Sequence, residues 1–233
     1  MKQYQLLEYI EDGKSFYAAW FNSLDAITAA RIDKYVRRME QGNMGDSKVV
    51  GGGVLELRID YGPGYRVYYG KDRDRLVILL GGGSKRHQSK DIPMAISRWK
   101  AYKKRRKLIM ALTREYRETV IGRIKQDKEF AAALFAEAIS SLVEGDRAST
   151  LSIMRDLVHA HISFKTLAEQ TGFDEKALHR MLSIRGNPTM KNLTLIIHTI
   201  ENDLRLSVNV TARQEKAMKS PSARREKQTI AYT

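Results

Sequence analysis

Residues 54–88 read VLELRIDYGPGYRVYYGKDRDRLVILLGGGSKRHQ, and this stretch limits the possible fold more than any other. Leu55, Leu57 and Ile59 alternate with Val54, Glu56 and Arg58, the period-two pattern of a strand with two unlike faces. Tyr61-Gly62-Pro63-Gly64 then reads as a turn, because proline presets one φ and glycine accepts φ > 0. Tyr65-Arg66-Val67-Tyr68-Tyr69 is aromatic and β-branched and returns as a second strand. Residues 70–75 form a charged turn into a third strand, Leu76-Val77-Ile78-Leu79-Leu80. The expected product is a meander with a basic, tyrosine-bearing surface over an apolar one.

The flanking sequence supplies the rest of a small domain. Residues 4–10 predict a strand closed by the turn Glu11-Asp12-Gly13-Lys14, and Ser15 is placed to cap a helix to about Asn22. A second helix is predicted over 24–40, with Ile27, Ala30, Ile32, Tyr35, Val36 and Met39 inside. Arg31, Lys34, Arg37 and Arg38 then face outward, either simply solvated or against a substrate. Gly51-Gly52-Gly53 closes a loop, and Gly81-Gly82-Gly83 lacks the spacing and the Lys-Ser/Thr pair of a phosphate loop. A third helix is expected from about Asp91, with Pro93 in its first turn, running into Lys103-Lys104-Arg105-Arg106-Lys107. That basic run is read either as a solvated terminus or as a clamp for a polyanion. The order strand, two helices, three strands predicts an α+β N-terminal domain: a small, antiparallel-rich sheet with helices on one side.

From Leu108 the pattern is nearly all helical, with segments predicted at 119–124, 127–143, 148–159 and 192–202 and a short strand at 204–210. Within it, Phe164 to Leu182 has the spacing of a helix-turn-helix: Ala168 permits close packing, Gly172 the turn, and Leu167, Thr171, Phe173, Leu178 and Met181 the shared core. Lys165, Thr166, Lys176, His179, Arg180, Ser183 and Arg185 are the residues such a pair would turn toward DNA, although Asp174 and Glu175 oppose a phosphate backbone. The chain thus divides into residues 1–107, an all-α helix-turn-helix region at 108–210 and a basic tail at 211–233, whose composition predicts disorder.

Charge points the same way. The net charge is +14; residues 1–107 hold 22 Lys+Arg against 12 Asp+Glu, or +10, leaving +4 for the remainder. A polyanion is the natural partner of the first half. Cysteine is absent, which excludes disulfides and thiolate metal sites, and His159 and His161 are spaced to diverge on a helix, so no metal or other cofactor is expected. Lacking a signal-type leader or a long apolar run, the chain is expected in the cytoplasm, without a membrane partner.

Residues 57–69 and 79–92, LRIDYGPGYRVYY and LLGGGSKRHQSKDI, resemble the RelE/ParE toxin superfamily, in particular its HigB-like addiction module killer branch, related to phage Gp49-type proteins. One departure is visible: Gly82-Gly83-Ser84-Lys85 stands where the family has Gly-Gly-Asp-Lys. Residues 110–113, 153–157, 167–172 and 180–188 are similar to the HigA-like antitoxins that follow such toxins, so the chain resembles a toxin and its antitoxin fused in operon order. The resemblance implies an mRNA interferase, a ribosome-dependent endoribonuclease inhibited in the intact fusion. Its partners would be messenger RNA and the ribosome for the first half and operator DNA for the second, the halves binding each other and the whole forming a homodimer. Arg58 and Arg66 are the expected phosphate-stabilising groups, because a guanidinium fork matches phosphate oxygens. Lys85 and His87 are the candidate acid and base, with Tyr65 or Tyr69 assisting. Two further readings stay open: a gyrase-poisoning, ParE-like domain, or a transcriptional regulator with a silent toxin-like half.

Overall fold

A computed structural model of the chain describes residues 3–74, 76–105 and 113–208. Its centre is a seven-stranded sheet in the order β2-β1-β6-β5-β4-β3, with β7 also paired to β1. The strands are β1 (Gln5–Glu11), β2 (Lys14–Ser15), β3 (Ser47–Gly51), β4 (Val54–Ile59), β5 (Tyr65–Asp72), β6 (Leu76–Ser84) and β7 (Thr113–Glu115). Helices α1 (Phe16–Asn22), α2 (Ala26–Glu40) and α3 (Gln88–Arg105) belong to the same part of the chain. Beyond β7 follow α4 (Tyr116–Gln126), α5 (Lys128–Val143), α6 (Arg147–Leu157), α7 (Phe164–Thr171), α8 (Glu175–Met181) and α9 (Met190–Leu204).

The meander forms as its alternation predicts, and β4 pairs antiparallel with β5 so that Arg58 lies opposite Arg66 and Leu57 opposite Val67. Both later strands run further than expected, because Gly70 and Gly81 to Gly83 stay in extended backbone rather than ending it. Strand β3 occupies a segment read as loop; only Ser47-Lys48-Val49-Val50 precedes the glycines, too short a run to announce itself. Strand β1 lies parallel to β6, a pairing that needs the long connection between them.

Helices cover both faces of the sheet, not one. Val54, Tyr68, Ile78 and Leu80 pack with Ala95, Trp99 and Tyr102 of α3. Leu57, Val67, Val77 and Leu79 point the other way, toward α1 and α2. Central strands apolar on both faces demand two covers. Gly70 makes the α3 side possible, since a Cβ there would collide with the Trp99 ring.

The second departure is on α2. Lys34 and Arg37, expected outside, are 2% and 0% exposed, while Ile27, expected inside, is 65% exposed. The helices after β7 pack on α2 and bury its cations against their acids. Lys34 pairs with Glu137 at 2.9 Å and Glu144 at 2.8 Å, and Arg37 with Asp156 at 2.7 Å and with its own-helix Asp33. Arg38 meets Asp146 at 2.7 Å, and Arg117 bridges Glu40 at 2.8 Å and Asp156 at 3.0 Å. The Tyr116 hydroxyl donates to Asp33. Farther along α4, Arg123 donates to the carbonyls of Phe21 at 2.6 Å and Leu24 at 2.8 Å, at and just past the end of α1. One apolar core therefore runs from Leu57 and Val67 through Val36 and Met39 to Phe130, Leu134, Leu151 and Ile196.

Asp127, Asp146, Asp174 and Thr189 cap the helices that follow them, each side chain accepting a first-turn N–H. Helix α6 continues as a π-helical turn, Val158–Ile162, ending at Ser163 with φ 74°. Helix α9 extends to Leu204 and stops at Arg205 with φ 53°; residues 206–208 form no strand, correcting the terminal strand expected there, whose last two residues lie outside the described ones. The predicted tail at 211–233, the end of the basic run after Arg105 and the segment 110–112 also lie outside the described residues. Among the described residues no helix is long and apolar enough to cross a membrane.

Candidate functional site

Period-two geometry sets Glu56 and Arg58 of β4 beside Arg66 and Tyr68 of β5 on the α3 face of the sheet. Glu56 is only 2% exposed, yet it accepts two hydrogen bonds and pairs with a second cation. Arg58 Nε donates to its Oε1 at 3.0 Å, Gln88 Nε2 donates to its Oε2 at 2.8 Å, and Arg66 Nε lies 3.9 Å from Oε2. The buried carboxylate thus holds the Arg58 guanidinium by a hydrogen bond and attracts that of Arg66 across 3.9 Å. The arginines differ in access: the Arg58 side chain is 32% exposed and that of Arg66 11%, with Arg66 NH1 donating to the Tyr65 carbonyl at 2.8 Å.

Ser84 ends β6, and Lys85–His87 form one 3₁₀ turn leading into α3. The Lys85 N–H donates to the Gly64 carbonyl at 2.8 Å, which pins this turn to the β4–β5 connection and brings Lys85, Arg86 and His87 to the rim of the arginine pair. All three side chains are exposed, and His87 Nδ1 lies 3.1 Å from Ser84 Oγ. The structure thus brings Arg58, Arg66, Lys85 and His87 to one end of one face. Tyr69 is not with them: strand alternation sends it into the α2-side core, fully buried, where burial raises its pKa. Tyr65 is half-buried and lends its carbonyl to Arg66.

The sequence reading passed over Glu56, Tyr68, Gln88 and Asp91. Tyr68 is buried with an unpartnered hydroxyl, and burial first, then the nearby Asp91 and Glu56 charges, hold its pKa well above the usual phenol range. Burial likewise raises Asp91, against the lowering influence of His87 and Arg98, and its Oδ2 has no hydrogen-bond partner. Glu56 was legible in part, as the one acid on the basic face of its strand.

The helices after β7 lie beyond α2, on the opposite side of the sheet. No described residue of theirs joins the apolar cluster under α3, and among the described residues Lys85 and His87 are exposed and the Arg58 side chain is 32% exposed. Of the residues predicted to face DNA, Lys165, Lys176, Arg180 and Arg185 are exposed and Thr166 and Ser183 are half-buried. His179 is stacked on Phe164, with centroids 3.8 Å apart. Among the described residues no cluster of three or more His, Asp or Glu side chains is placed to hold a metal ion.

A basic site on a small sheet, held by a buried acid, is the class the geometry defines. Residues 19–114 match the family model described as Phage derived protein Gp49-like, a span that contains every residue of the basic face named above. An uncharacterized protein of Haemophilus influenzae is 46% identical over 80 residues, 34% of this chain and 81% of that protein. The chain belongs to the Gp49-like family, which is related to the toxins of toxin–antitoxin pairs. No solved structure matches the chain.

Proposed function

We propose that the basic face binds the phosphodiester backbone of RNA and cleaves it, as an mRNA interferase acting on the ribosome. The observation that carries this is the opposed pair Arg58 and Arg66, both ion-paired with buried Glu56, beside the pinned turn that presents Lys85 and His87. Arg58, the more exposed, contacts the scissile phosphate, while Arg66 contributes its charge from below. In the reaction a base takes the proton of the 2′-hydroxyl, whose oxygen attacks phosphorus. The bond to the 5′-oxygen breaks, and an acid protonates that oxygen as it leaves. His87 and Lys85 are the groups at hand for base and acid, and the product is a 2′,3′-cyclic phosphate with a free 5′-hydroxyl.

The test is the purified full chain with ribosomes and a defined messenger, the ends mapped by primer extension. Cleavage by the intact chain, lost in Arg58→Ala, supports the reading. Absence of cleavage together with inhibition of gyrase supercoiling would replace it with the ParE-like reading.

The second half carries a separate reading, operator DNA binding by the α7–α8 pair. It is favoured by the left-handed Gly172 between the helices and by exposed Lys165, Lys176, Arg180 and Arg185. Retarded migration of DNA from upstream of the gene, abolished by Arg180→Ala with Arg185→Ala, is the expected result. Together the readings make the chain a toxin and an antitoxin in one, with the described second-half helices packed on α2, across the sheet from Arg58.

A further inference from the structure

Next to the arginine pair, between β6 and the first turns of α3, lies a cavity of about 170 Å³ lined by Phe16, Tyr68, Gly81, Gly82, Asp91, Met94 and Arg98. The glycines create it. A Cβ at Gly81 would lie 2.9 Å from Arg98 NH1, and one at Gly83 would collide with the Asp91 carboxylate, so only glycine lets α3 bring both side chains down to the strand. Arg98 is fixed by donating to the Leu80 carbonyl at 2.9 Å, and its guanidinium lies 3.5 Å over the Phe16 ring, forming a planar wall. Tyr68 is 1% exposed and its hydroxyl has no partner, nor has Asp91 Oδ2. Buried polar groups without partners are costly and mark places that await one.

The space is too small for a drug-sized molecule, whose pockets run from about 300 Å³ upward, and it suits a single planar ring system. Proteins read single-stranded RNA by stacking an extruded base on aromatic or guanidinium planes and bonding its edge. The donors and acceptors present select the base. A carboxylate accepts two adjacent N–H groups and a phenol donates to a neighbouring carbonyl, which complements the O6, N1–H, N2–H edge of guanine. Adenine offers no such edge, and cytosine and uracil offer one N–H donor each along it.

Resting on the phosphate-site reading above, we propose that this cavity is a base-reading pocket for guanine in the RNA held by Arg58 and Lys85. Guanine lies along the Arg98–Phe16 wall, with its Watson–Crick edge toward Tyr68 and Asp91.

The test is equilibrium binding of the full chain to five-nucleotide RNAs of uridine in which the central base is G, A, C or U. The G oligonucleotide should bind at least about 10-fold more tightly than the other three, the discrimination a good pair of base contacts supplies. Met94→Trp, at a half-exposed position on the lining, should fill the space and reduce that preference to within about two-fold while oligouridine affinity stays unchanged. Asp91→Asn should also erase the preference, since an amide cannot accept both donors. Equal affinity for all four oligonucleotides, or a G preference that survives both substitutions, overturns the pocket and leaves the phosphate site standing. Failure to bind any of the four overturns both.

Discussion

At the scale of the residue, Glu56 explains why two arginines can face each other across adjacent strands. Like charges directly opposite destabilise a sheet, and here a shared carboxylate beneath them offsets the repulsion while leaving Arg58 partly open. Arg58→Ala is expected to lower kcat/KM for RNA cleavage by about 10²-fold or more, the effect of losing one preorganised charge contact. Arg58→Lys should recover only part of it, because an ammonium lacks the fork. Asp33 yields a second residue-scale prediction. Burial pushes it up to about 6 even beside Arg37, whose own charged form Asp33 and Asp156 stabilise against burial. An unfolded aspartate titrates near 3.9, so between about pH 4 and 6 the folded chain holds the extra proton and this group's contribution to stability falls as pH rises. Relative to the native chain, Asp33→Asn should therefore gain stability on going from pH 4.5 to 7, by on the order of 1–3 kcal/mol in urea unfolding. A constant difference would refute the assignment.

At the scale of the element, the meander was legible because alternation, aromatic content and turn residues agreed over 54–88. Helix α2 was misread because its period is right but its inward stripe includes Lys34 and Arg37. Their partners, Glu137, Glu144 and Asp156, lie more than a hundred residues away in sequence, and no local pattern shows that a cation will be matched. Tyr69 was chosen over Tyr68 for a similar reason: alternation makes the two point oppositely, and only α3, packed on one face, decides which neighbours the arginines. The glycines of β6 fail the phosphate-loop pattern and had no other role in the sequence reading, whereas they clear a strand for Asp91 and Arg98. Helix α2 also gives a sharp contrast for mutagenesis. Arg37→Ala leaves Asp33 a buried charge without a cation and takes one of its two cations from Asp156, and should cost about 3–5 kcal/mol. Arg38→Ala, which breaks a partly exposed pair with Asp146, should cost about 1 kcal/mol or less in the same urea titration.

At the scale of the whole molecule, a common core and a shared ion network predict one unfolding transition. Both tryptophans, Trp20 and Trp99, lie before residue 108, while helices α4 to α9 lie after it. Tryptophan fluorescence and far-ultraviolet circular dichroism should therefore give coincident urea midpoints, the signature of two-state behaviour. Two separated transitions would show that the halves fold independently. The composition change at Leu108 was visible in the sequence, but not that Thr113–Glu115 would join the first half's sheet by pairing with β1 at Leu7, Glu8 and Tyr9. That strand has a mechanical consequence. An unfolding machine pulling from the C-terminal side, after stripping α9 through α4, loads β7 and hence β1, which is bonded along its other edge to β6. The pull thus reaches β6, which leads into the turn that carries Lys85 and His87, so traction on the second half loads the sheet of the first.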